Sequence, residues 1–87
     1  MKIKNGFMLR EIVGQWIVVP LGSRAVEFNC VLTLSQSGAL LWNTISEGAD
    51  EEGLVKAILS VYDIDETTAR ADVKEFISQM ESNGLLE

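Results

Sequence analysis

The apolar period of this chain changes once, at Ser35, and that change constrains the fold more than any other feature of the sequence. Before it, β-branched and aromatic residues come in short runs, Phe7 to Ile12, Gln15 to Pro20 and Val26 to Leu34. Gly14 and Leu21-Gly22-Ser23-Arg24 separate the runs, gaps suited to an antiparallel three-stranded meander. The third run alternates most clearly: Val26, Phe28, Cys30, Leu32 and Leu34 share one face, and Glu27, Asn29, Val31 and Thr33 the other. Pro20 has no amide hydrogen to give a ladder, so it belongs at the end of the second strand.

After Ser35 the spacing is helical. Ser35 is the expected N-cap of a helix carrying Leu40, Leu41, Trp42 and Ile45, which stops before Gly48. Gly38 weakens that helix modestly. Asp50 caps a second helix, with Glu51 and Glu52 in the first turn and Leu54, Val55, Ile58, Leu59 and Tyr62 as its apolar stripe. Asp65 caps the longest, in which Ala69, Val73, Phe76, Ile77 and Met80 form a buried stripe. Asn83-Gly84-Leu85 reads as its stop, with Gly84 left-handed and Leu85 folded back toward Met80. Three strands followed by three helices predict one α+β domain over residues 1–87, with the parts of a winged helix-turn-helix.

A chain of 87 residues with 47% apolar side chains is expected to fold, yet a domain this small buries only about 60% of the surface it exposes unfolded. Cys30 is the only cysteine, so no internal disulfide helps, and the cytoplasm is the default compartment. Lys2 and Lys4 precede an apolar stretch broken by Arg10, Glu11 and Gln15, which argues against a signal peptide or membrane span. The net charge of −6 is unevenly spread: residues 1–46 carry +2 and residues 47–87 carry −8. The third helix, from Asp65 to Asn83, holds five acidic residues against Arg70 and Lys74. That balance opposes a nucleic-acid partner, and a DNA-binding winged helix is disfavoured accordingly.

The residues that carry chemistry are scarce. There is no histidine, which removes the commonest general base and transition-metal ligand. Cys30 sits on the apolar face of its strand with nothing to activate it and reads as packing. Gly48 and Gly53 are isolated and make no phosphate loop. The carboxylates around Asp50 and Asp65 sit where helices begin and read as caps rather than cation ligands. No catalysis, metal or cofactor is therefore expected. Trp42 reads as core, whereas Trp16 has apolar neighbours on both faces of its strand and fits either. Arg70 and Lys74, four apart, form either a solvated face or contacts for an anionic partner.

The stretch Leu34-Ser35-Gln36-Ser37-Gly38-Ala39-Leu40-Leu41-Trp42 resembles the "LNxTGxxIW" segment that follows the third strand in the PqqD-like family. These are peptide chaperones named from pyrroloquinoline quinone biosynthesis. Phe7-Met8-Leu9-Arg10-Glu11-Ile12 is similar to that family's opening strand with its central arginine. Asp63-Ile64-Asp65, Ala69, Asp72-Val73, Phe76 and Gly84-Leu85-Leu86 resemble its closing helix and ending. Ser35 and Ser37 stand where the family has asparagine and threonine.

The resemblance implies a non-catalytic recognition element for ribosomally made, modified peptides. It binds a precursor's leader and presents the precursor to a modifying enzyme, often a radical S-adenosylmethionine enzyme. The leader would add as an antiparallel strand to the third strand, in the cleft facing the third helix. Carried onto this sequence, the peptide-binding residues are Val26, Glu27, Phe28, Asn29, Cys30 and Val31 on the strand. On the helix they are Ala69, Arg70, Val73, Lys74 and Ile77, with Arg70 and Lys74 selecting acidic leader residues. The alternative use of a free third-strand edge is pairing with a second copy of the chain.

Overall fold

In the computed structural model, which describes residues 1–23 and 32–87, β1 (Phe7–Ile12) and β2 (Gln15–Pro20) form a hairpin closed by only two residues. The register runs from Ile12 opposite Gln15 to Phe7 opposite Pro20. Val13 and Gly14 make the turn with φ of 51° and 76°, both left-handed, as the right-handed twist of a two-residue hairpin demands. Glycine adopts this conformation freely, but a β-branched residue does so at a cost of about 1–2 kcal/mol. Val13 is also 97% exposed, so no packing offsets the strain. Val13→Asn, which supplies the preferred Asn-Gly turn, is expected to raise the melting temperature by about 4–8 °C, read by circular dichroism.

The described part of the third strand, β3 (Leu32–Leu34), pairs antiparallel with β2, giving the order β1-β2-β3. Pro20 closes β2, as its missing amide hydrogen requires. Cross-strand partners share a face, so Phe7, Leu9, Trp16, Val18, Leu32 and Leu34 point toward the helices. Val18 and Leu34 are buried, and Trp16 packs partly buried against them.

The three helices among the described residues start at the expected caps. Ser35 Oγ accepts the Gly38 N–H at 3.1 Å and opens α1 (Gln36–Ser46). Asp50 accepts the Gly53 N–H at 2.8 Å ahead of α2 (Glu51–Val61). Asp65 accepts the Thr68 N–H at 2.7 Å ahead of α3 (Glu66–Ser82), and hydrogen bonding from Thr68, its side chain first and then its amide, holds the carboxyl below the usual aspartate range. One core joins the layers: Leu41, Trp42 and Ile45 of α1 meet Leu54, Val55 and Ile58 of α2 and the Ala69, Val73, Phe76, Met80 stripe of α3. Trp42, at 4% exposure, is core as expected.

The chain ends fold onto each other. Gly84 takes φ of 71°, and the Leu85 N–H donates to the Met80 carbonyl at 3.0 Å, placing Leu85 in the core. The Leu85 carbonyl accepts from the Lys4 N–H at 2.8 Å and the Lys2 carbonyl from the Glu87 N–H at 2.9 Å, with Ile3 bridging Leu86. This pairing seals the base of α3 against the amino-terminal segment. Among the described residues, no helix is long and apolar enough to cross a membrane.

Candidate functional site

The geometry of the β3 edge follows from the phase of the ladder. Residues flanking a two-residue hairpin turn exchange hydrogen bonds, and bonded pairs then recur at every second position. The Leu21 N–H donating to the Gly6 carbonyl at 2.7 Å continues the series begun by Ile12 and Gln15. Gln15, Ile17 and Val19 therefore bond toward β1, and Trp16 and Val18 turn their backbone groups toward β3. Opposite them are Leu34 and Leu32. Thr33, between these two, aims its N–H and carbonyl away from β2, toward an edge that no strand covers among the described residues. Its side chain is exposed. An uncovered edge is a template for a further strand.

Beside that edge lies a cleft of about 200 Å³ between the Leu34 end of β3, the start of α1 and one flank of α3. Leu34, Leu41 and Phe76, all at 5% exposure or less, form its apolar wall. Gly38 keeps the first turn of α1 close to β3, since a Cβ there would lie 3.3 Å from both Leu34 Cβ and Ser35 Oγ. Ser35 and Ser37, whose hydroxyls are 3.1 Å apart, sit at one lip. Asp72, Glu75 and Gln79 of α3 form the other.

The expected site residues fall into three groups. Val26, Glu27, Phe28, Asn29, Cys30 and Val31 lie outside the described residues. Ala69 and Val73 are fully buried in the core and do not line the cleft. Arg70, Lys74 and Ile77 lie on the flank of α3 opposite Asp72, Glu75 and Gln79 and do not line this cleft. Arg70 is bound bidentately by Glu52 of α2, at 2.7 and 3.0 Å, and by Glu66 at 3.0 Å. These bonds pull the Glu52 carboxyl below its ordinary range and push the guanidinium further up. Arg70 thus ties α3 to α2 and is committed within the chain. Lys74 is exposed, and Ile77 lines a separate hollow with Met1, Glu81, Leu86 and Glu87.

Helical periodicity identifies the buried stripe of α3 but not which of its two polar flanks turns toward β3. The α1–α3 packing decides that, so Asp72, Glu75 and Gln79 had no local signal to mark them. Arg10, the central arginine of β1, points to the outer face of the sheet, its Nε donating to Met8 Sδ at 3.2 Å. Among the described residues no group of three histidine, cysteine or carboxylate side chains is placed to hold a metal ion.

A family model described as coenzyme PQQ synthesis protein D (PqqD) matches residues 15–86. The chain belongs to the PqqD family. A search of curated proteins finds no match. Two solved structures share the fold of this PqqD-family chain. TbiB1, solved in complex with the TbiA(beta) leader peptide, is 25% identical and superposes with a TM-score of 0.80 over 100% of this chain and 95% of TbiB1. Lasso peptide synthetase B1, solved complexed with its leader peptide, is 14% identical with a TM-score of 0.78, over 99% and 95% of the two chains. The three-stranded antiparallel sheet followed by three helices is therefore an α+β architecture common to all three.

Proposed function

We propose that this PqqD-family chain binds the leader of a ribosomally made precursor peptide as an added strand on β3 and presents it to a modifying enzyme. The chain does no chemistry of its own in this reading. The observation that carries it is the β3 edge, open among the described residues, beside a cleft between β3, α1 and α3, in the fold that both leader-bound structures share. The strand side of the site is Val26 to Leu34, with Thr33 presenting its backbone groups outward. The helix side is the Asp72, Glu75, Phe76 and Gln79 flank, backed by Ala69 and Val73. The modifying enzyme is of the radical S-adenosylmethionine class that the family resemblance implies, and the work is done in the cytoplasm.

Energetics constrain the leader. About five ladder bonds at roughly 1 kcal/mol each only begin to offset an association cost of roughly 4–15 kcal/mol. Two or three leader aliphatics, each contributing roughly 1.5–3 kcal/mol when fully buried in the cleft, bring binding into a useful range. A leader for this chain therefore carries apolar anchors at alternate positions.

The test is fluorescence polarisation of the fluorescein-labelled leader of the precursor encoded beside this chain's gene. Saturable binding at roughly micromolar concentration or below is expected. Absence of binding at high micromolar concentration would remove the reading for that peptide. Sedimentation velocity on the same sample reads the competing use of the edge, because pairing between two copies strengthens with concentration.

A further inference from the structure

The leader-binding reading leaves open what kind of side chain the cleft selects, and its charges bear on that. The cleft is acidic at its rim: Asp72 and Glu75 stand one turn apart on α3, above the nearly buried Phe76, Leu41 and Leu34 that back the cleft. Neither carboxylate has an ion-pair or hydrogen-bond partner among the described residues. Arg70, the cation of α3 held in ion pairs, is engaged by Glu52 and Glu66 on the far flank, and Lys74 lies on that flank too. An acidic leader residue entering here would meet two like charges at the rim. A basic one would lay its alkyl stem on Phe76 and Leu41 and set its cation between the carboxylates, as long cationic side chains do at apolar surfaces edged by water.

We propose, resting on the leader-binding reading, that this end of the cleft is a specificity pocket for one lysine or arginine of the leader. An antiparallel strand runs opposite to β3, so the part of the leader beside Leu34, where β3 ends, is the amino-terminal part of the bound segment. The basic residue therefore lies at that end, away from the region the enzyme modifies. This reverses the preference for acidic residues that Arg70 and Lys74 suggest in the sequence.

The experiment measures binding of the same labelled leader to the wild-type chain and to an Asp72→Asn, Glu75→Gln double variant. Both positions are exposed, and thermal unfolding checks that the variant keeps its fold. The double variant is expected to bind about fivefold more weakly, the size of a single ion pair at a partly open site. Raising sodium chloride from about 50 to about 500 mM should weaken the wild type and leave the variant nearly unchanged. Replacing leader lysines and arginines one at a time with glutamine should reproduce the loss at one position near the amino-terminal end, with no further loss in the variant. Wild-type binding that is insensitive to both carboxylates and to every leader cation would overturn the pocket and leave the leader-binding reading standing. A wild-type chain that binds no leader would remove both.

Discussion

Val73→Asp is expected to leave no folded protein at room temperature. Val73 is fully buried, in the middle of the α3 stripe that joins the sheet to α1 and α2. The substitution forfeits most of the roughly 1.5–3 kcal/mol from burying a valine and leaves a carboxylate with no partner in the interior, which costs several kcal/mol more. A chain of 87 residues has a total stability of about 4–13 kcal/mol, so the loss consumes most or all of it. Urea titration followed by circular dichroism reads the outcome directly. Lys74→Asp, one residue along on the exposed surface, is the control and should stay within about 0.5 kcal/mol of the wild type. A folded Val73→Asp chain with an unchanged midpoint would mean that the rotation of α3 about its axis is wrong, and the assignment of its flanks with it. Because Val73 supports the fold, substitutions there cannot test leader binding, and variants at the rim of the cleft must do so.

What the sequence reveals and what it hides divide along the range of the physical signal. The caps at Ser35, Asp50 and Asp65 are legible because each is a side chain bonding an amide three residues on. The Gly84-Leu85 stop is equally local, since a left-handed glycine returns the next residue to its own helix. The α3 stripe is legible from period alone. The pairing of Ile3 with Leu86 joins opposite ends of the chain and leaves no periodic trace in either. The strained turn at Val13 is hidden for another reason: valine is a poor residue for a left-handed position, and only the two-residue spacing between the strands points to it. The site shows the same division. Its class follows from the order of elements and the Leu34 to Trp42 segment, whereas its lining depends on the rotation of α3 against α1, a tertiary quantity. Arg70 shows what a charge pattern leaves out: the cation is bound by Glu52, 18 positions earlier on another helix.

The second large effect concerns the strand edge. Thr33→Pro is expected to weaken leader binding at least tenfold while the domain stays folded. The ladder phase turns the Thr33 amide away from β2, so proline removes no bond that holds the sheet together. It removes instead a donor offered to the incoming leader, at roughly 1 kcal/mol, and sets its ring in the lane the leader's backbone must occupy. Together these reach the roughly 1.4 kcal/mol that corresponds to tenfold. Thr33→Ala keeps the amide and trims only an exposed side chain, so its affinity should lie within about twofold of the wild type. Fluorescence polarisation compares the three chains, and thermal unfolding confirms that the proline variant is folded. Equal affinity for all three would show that the leader does not pair at Thr33, whatever holds it elsewhere. A loss confined to proline would assign binding to the backbone edge itself, because no side-chain contact distinguishes the two substitutions in that way.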